Sequence, residues 1–176
     1  MDISCKTMVS GNKQKRFISP PTGYDFKTNI VFFSRTIPLK LGWVYLKDET
    51  LFANVPRDSK LLVLLHAMSD KIKAESPDPE KTKPIVRDRG DECPPQVRLG
   101  IHHCHDIVDE EGNKLTTEQA FGGLPSDITI LSFVIAFYQL FQNNADKKWT
   151  VQIGLRRCKV KRVKRETFKS IDDVPL

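Results

Sequence analysis

The 176-residue chain predicts an α+β domain: an antiparallel sheet packed by one main helix at about 59–74, with a flexible N-terminal arm and a long Pro-rich loop. Three observations carry this. Runs rich in β-branched and aromatic residues alternate in polarity at several places. Only one stretch carries a sustained helical stripe. Residues 76–95 hold five prolines and many charges but few apolar side chains.

Residues 1–22 are polar, contain Gly11 and the pair Pro20-Pro21, and show no period, so they read as a flexible basic arm, with one domain over 23–176. Residues 26–33 and 37–46 read as strands; Ile37, Leu39, Leu41, Trp43 and Tyr45 share one parity, hence one face. Lys47-Asp48-Glu49 is a turn into a third strand at 51–55, which makes a hairpin with the preceding run. Pro56 ends that strand, and Asp58 or Ser59 can cap a helix whose apolar stripe is Leu61, Leu64, Leu65, Met68 and Ile72.

Segment 76–95 is too poor in apolar residues to offset the entropy of ordering it and reads as an exposed loop, with an inter-subdomain linker as the lesser alternative. Val97, Leu99 and Ile101 alternate with Arg98 and Gly100 in a further strand, followed by turn chemistry at 109–113. Thr116 or Thr117 can cap a short helix that Gly122, Gly123 and Pro125 stop. Residues 128–141 are apolar on both parities, as in a strand buried on both faces. After the turn at 143–146, Trp149, Val151, Ile153 and Leu155 alternate again, so these last two strands should pair as a long hairpin.

Lys and Arg number 28 against 22 Asp and Glu, a net charge of +6, and the surplus is concentrated. Residues 156–169 carry eight Lys or Arg against Glu166, which leaves the rest of the chain near neutral. If the last strand continues through this run, Arg157, Lys159 and Lys161 project from one face and Arg156, Arg162 and Lys164 from the other, with Arg165 beyond. With Lys13, Lys15 and Arg16 in the arm, these are the candidate contacts to nucleic acid or anionic lipid.

Catalytic signatures are missing: there is no Gly-x-Ser-x-Gly elbow, no phosphate-cradling glycine loop and no His-Glu-x-x-His. The expectation is a non-enzymatic protein without a cofactor. His102-His103-Cys104-His105-Asp106 contains zinc-ligand types, yet alternation along a strand separates His103 and His105 from His102 and Cys104. A site would therefore need His103 and His105 completed by Cys93 or a partner chain. Cys5, Cys93, Cys104 and Cys158 form no Cys-x-x-Cys pair and read as free thiols in a cytosolic protein. No stretch approaches the roughly 20 apolar residues of a membrane span, and the first residues lack a secretory signal.

Pro20-Pro21-Thr22-Gly23-Tyr24 behind Lys13-Gln14-Lys15-Arg16 resembles the front of rhabdovirus matrix proteins, in which a basic arm and a Pro-Pro-x-Tyr element precede a small α+β domain. Gly23 inserts one residue before Tyr24, and the small basic proteins of the cytorhabdoviruses are the closer group. The resemblance implies a structural, self-associating homo-oligomer that binds and condenses ribonucleoprotein or nucleoprotein. It would link that particle to an anionic membrane and a viral glycoprotein tail during virion assembly. The implied location is the virion, and the host cytoplasm as a peripheral membrane protein. The alternative is an RNA-binding viral accessory protein, a silencing suppressor or movement protein, using the same basic strand.

Overall fold

The computed structural model describes residues 4–10, 13–19, 30–143 and 145–163, with side chains from Ser34 onward except at position 139. In chain order the elements are β1 (Ser4–Ser10), β2 (Lys13–Ser19), β3 (Ile30–Ser34), β4 (Leu39–Tyr45), β5 (Thr50–Asn54), α1 (Lys60–Glu75) and β6 (Val86–Arg87). They continue with β7 (Gln96–Gly100), β8 (Asp106–Val108), α2 (Thr117–Phe121), β9 (Ile128–Gln142) and β10 (Trp149–Arg162).

Five of these strands close on themselves. β4 pairs antiparallel with β5, and β5 with β7. β7 meets β10 in parallel at Gly100 and Gly154, β10 runs antiparallel to β9, and β9 returns to β4 at Ile130 and Leu39. This order and polarity define a five-stranded Greek-key barrel of the OB type, held at its parallel seam by a single pair. The expected α+β sheet under one helix is thereby corrected: the chain is mostly strand, and its sheet buries its own inner face. The closure follows from β9 and β10, which span 15 and 14 residues and bend through bulges at Gln152/Ile153, Leu155/Arg157 and Lys159/Val160. Bulges increase twist and let a sheet curl.

Leu39, Leu51, Leu99, Ile128, Ile130, Ile135, Phe137, Leu140 and Leu155 fill the core with almost no exposure. Helix α1 starts where Ser59 Oγ accepts from Leu62 N at 3.3 Å and adds Leu61, Leu62, Leu65, Met68 and Ile72 to that core. Leu64, assigned to the apolar stripe by spacing, points to solvent and Leu62 takes its place. Thr116 begins α2 with a full capping box, Gln119 N donating to Thr116 Oγ1 and Thr116 N to Gln119 Oε1.

Two expected irregular segments prove tied down. Within the stretch 1–22, β1 and β2 pair from Ser4↔Ser19 to Ser10↔Lys13, and β2 joins β9 at Lys15↔Phe141 and Arg16↔Leu140. Within 76–95, Ile85, Val86 and Pro95 are buried, Ile85 N donates to Ser69 Oγ and Lys83 N donates to Trp149 O. Hydrogen bonds supply what the low apolar content could not, although residues 77, 79–81, 83–84 and the tip at 87–94 stay exposed as expected. Arg57 clamps that tip, donating to Asp88 at 3.0 and 3.1 Å, to Cys93 O at 2.7 Å and to Gly90 O. Its guanidinium is the main reason that the Asp88 carboxyl is held below the usual carboxylate range.

In β4 the parity breaks. Leu41 pairs with Ala53, but Trp43 pairs with Phe52, leaving Gly42 as the extra residue of a bulge. Leu39 and Leu41 therefore face the core, whereas Trp43 and Tyr45 are 61% and 49% exposed rather than sharing that face. Gly42 leaves room here: a Cβ would lie 2.3 Å from Gln96 Nε2 and 3.0 Å from Asn54 Oδ1, so the ends of those side chains would have to shift. Those two side chains hydrogen-bond to each other at 2.9 Å directly over it. Gly42→Ala is expected to destabilise the protein by about 1–3 kcal/mol in urea unfolding, the usual range for overpacking; unchanged stability would show that the amide pair moves aside freely.

Candidate functional site

The outer face of β4, β5 and β7 carries an unusual set of side chains. Trp43, Phe52 and Arg98 are cross-strand neighbours in one row, and Tyr45, Thr50 and Gly100 form the next. Tyr45 and Phe52 meet edge to face, with ring centroids 6.2 Å apart and planes at 80°. Beyond the aromatic row lie Lys40, Asn54 and Gln96. An aromatic group across β4 and β5 with exposed members is costly to keep in water, and its flat faces with the β7 guanidinium beside them suit stacking against planar ligands.

This face runs into a cleft of about 560 Å³ between the turn at 46–49 and the turn at 143–148. Arg98, Gly100, His102, Gln142, Thr150 and Gln152 are among its lining residues. Its floor is low because the Tyr45 row continues through Gly100 to Gly154. Both glycines are covered by rings. A Cβ on Gly100 would lie 3.1 Å from His102 Nδ1, and one on Gly154 would lie 2.4 Å from Tyr138 Cε2. The hydroxyl of Tyr138 has no hydrogen-bond partner among the described residues, and burial pushes its pKa up.

The histidines occupy a tight turn, Cys104 N donating to Ile101 O at 3.0 Å. Ring centroids of His102 and His103 are 4.1 Å apart, those of His103 and His105 6.3 Å, and His103 lies 5.7 Å from Tyr138. The described residues do not complete the two-histidine zinc alternative. Cys93 sits on the tip that Arg57 clamps, and no group of three or more His, Cys, Asp or Glu among the described residues is arranged to hold a metal. The Cys104 thiol hydrogen-bonds with that of buried Cys158; the bond lowers the Cys104 pKa, while the same bond and burial push that of Cys158 up.

The basic run does continue the last strand as far as Arg162, but its charges are not equivalent. Arg156 is absorbed by the bulge between Leu155 and Arg157. Arg157 is paired with Asp106 of β8 at 2.6 and 2.9 Å. Arg162 donates to the carbonyls of Gln119 and Gly122 at the end of α2, closing that helix. Cys158 and Val160 face the core, so the charges left for a partner are Arg156, Lys159 and Lys161. The expected split, with Arg156 and Arg162 sharing a second face, is therefore replaced by separate structural duties. Lys13, Lys15 and Arg16 lie in β2, whose backbone alone is described, while Pro20, Pro21, Tyr24, Lys164 and Arg165 lie outside the described residues.

Trp43, Tyr45, Phe52 and Arg98 were not among the candidates drawn from sequence. Their signal was Gly42, a glycine inside an alternating run, which marks a bulge and reverses the parity after it.

No protein-family model and no curated protein matches the chain. Among solved structures it is similar to a single-stranded DNA-binding protein from bacteriophage Enc34, at 13% identity and a TM-score of 0.49 over 99% of this chain and 97% of that one. A C-terminal truncation of the same protein gives 13% and 0.47, over 96% and 97%. The matrix expectation, condensation of ribonucleoprotein and its linkage to a membrane, is corrected. The closed barrel is not the sheet-and-helix domain it implied.

The two tryptophans make the site optically addressable, since Trp43 is 61% exposed and Trp149 only 2%. Trp43→Phe is expected to leave a blue-shifted emission that iodide barely quenches; strong residual quenching would place Trp149, not Trp43, at the surface.

Proposed function

We propose that this chain is a non-enzymatic protein that binds single-stranded nucleic acid across the outer face of β4, β5 and β7. The observation that carries the reading is the row Trp43–Phe52–Arg98 with Tyr45 beside it on the barrel face, where Trp43, Tyr45 and Arg98 are exposed and Phe52 is half-buried. Bases of a single strand offer free π-faces, and stacking on aromatic side chains contributes about 1–3 kcal/mol per base without regard to sequence. In a duplex those faces are already stacked. The OB barrel supports the reading by analogy, since this fold commonly binds oligonucleotides on its second and third strands and the two flanking turns. Here those strands are β5 and β7, and the turns are 46–49 and 143–148, which enclose the cleft.

Phosphates fall to the cations around the rings. Lys40 is exposed at one end of the platform and Lys47 on the 46–49 turn at the other, Arg98 lies within it, and Lys147 and Lys148 flank the cleft on the 143–148 turn. Neutralising a single-strand phosphate releases counterions and lowers the slope of log affinity against log salt by about 0.7 per contact. A second reading places the main contact on Arg156, Lys159 and Lys161 of β10, for which Lys159 and Lys161 have no ion pair among the described residues.

Anisotropy titrations with labelled oligo(dT), oligo(U) and a duplex of equal length separate these. Trp43→Ala is expected to weaken single-strand binding by roughly 5- to 150-fold with duplex binding weak throughout. Arg98→Ala is expected to flatten the salt slope by about 0.7. Single-strand affinity unchanged in a Trp43→Ala/Tyr45→Ala variant but lost in Lys159→Ala/Lys161→Ala would move the site to β10.

A further inference from the structure

We propose that the turn bearing His102 and His103, with His105 and Arg156 beside it, is a phosphate site that gains charge by taking up protons as a nucleic-acid backbone binds. The inference rests on the single-strand reading above and extends it along the surface from Arg98.

Position comes first. The turn is strapped on both sides, Ile101 N donating to Glu49 O at 2.8 Å and His105 N to Arg156 O at 3.2 Å. The His102 ring lies over Gly100 and lines the same cleft as Arg98, so a strand leaving the aromatic platform through that cleft meets the histidines next. All three imidazoles are exposed. Beyond them lie Arg156 and then Lys159, which extends the cationic path onto β10.

The charge balance at the turn lacks a counter-ion of matching strength. Facing His103 are His102 and His105 from the same segment, Arg156 from β10, Tyr138 from β9, and Glu49 from the 46–49 turn. Glu49 is the one acid in that set. Asp106, the next acid along the chain, is engaged by Arg157. His103 consequently holds its proton less readily than an ordinary imidazole, first through partial desolvation and then through repulsion by His102, His105 and Arg156. An arriving phosphate reverses that repulsion.

The sign follows by linkage. If the bound state raises the His103 pKa above that of the free protein, the added affinity is fully present below the free-state value and vanishes as pH rises through the bound-state value. Each unit of upward shift is worth tenfold in affinity. Imidazoles titrate near neutrality, so the window runs from about pH 8 to about pH 5.5.

The test is anisotropy with an oligo(dT) of roughly 20 nucleotides, long enough to pass beyond one OB face. It carries a rhodamine dye that does not titrate in this range, and ionic strength is fixed. The intact chain is expected to bind about tenfold more tightly at pH 5.5 than at pH 8. His103→Gln/His105→Gln should retain the pH 8 affinity and melting temperature but lose the gain. His103→Arg, charged at every pH, should bind more tightly than the intact chain at pH 8. Equal pH profiles for the intact chain and the double variant overturn the histidine site while Trp43-dependent binding stands. Binding indifferent to Trp43→Ala at both pH values overturns the underlying reading and this inference with it.

Discussion

Every other feature depends on the closure of the sheet through β9. One edge of this strand pairs with β10 over thirteen residue pairs, while its other edge carries β4, β3 and β2 in turn. Along it Ile128, Ile130, Phe133, Ile135, Ala136, Phe137 and Leu140 are buried, so both parities contribute buried side chains. Closure removes the edges of an open sheet and provides a core that needs no full helical layer. Helix α1 supplements that core on one side through Leu61, Leu65, Met68 and Ile72.

A small barrel has room inside for side chains and little else, so function has to be placed on its outside. The bulges do that placing. At Gly42 the reversal of parity turns Trp43 and Tyr45 outward next to Phe52 and Arg98. In β10 the reversal after Leu155 keeps Cys158 and Val160 in the core while Lys159 and Lys161 remain at the surface. The same device thus produces both an aromatic face and a cationic ridge without sacrificing buried area. The histidine turn lies between them, strapped to the 46–49 turn and to β10.

Local features were readable in the sequence because their causes are local. Ser59 and Thr116 announce their helices, the stripe from Leu61 to Ile72 defines α1, and the alternation at 97–101 and 149–155 marks β7 and the start of β10. Closure was not readable, because the pairs Leu39↔Ile130 and Gly100↔Gly154 join segments far apart in the chain and leave no periodic trace. The aromatic face was not legible for a related reason: strict alternation assigns Trp43 and Tyr45 to the core unless Gly42 is taken as a bulge. Charge drew attention to Arg156–Arg162 instead, where composition cannot reveal that Arg157 serves Asp106 and Arg162 serves α2. The segment 76–95 was judged on apolar content alone, which misses hydrogen bonds such as those from Arg57 and Lys83.

The central claim is that a single strand lies on the aromatic face rather than on the basic ridge or on α1. Photo-crosslinking with a 5-iodouracil-substituted oligonucleotide, followed by mass-spectrometric mapping of the joined peptide, addresses that claim directly, since the halogenated base couples to an aromatic ring it stacks upon. The account predicts adducts within residues 39–54, centred on Trp43 and Tyr45. Adducts confined to 60–75 or to 149–163, with none on β4 or β5, would contradict it.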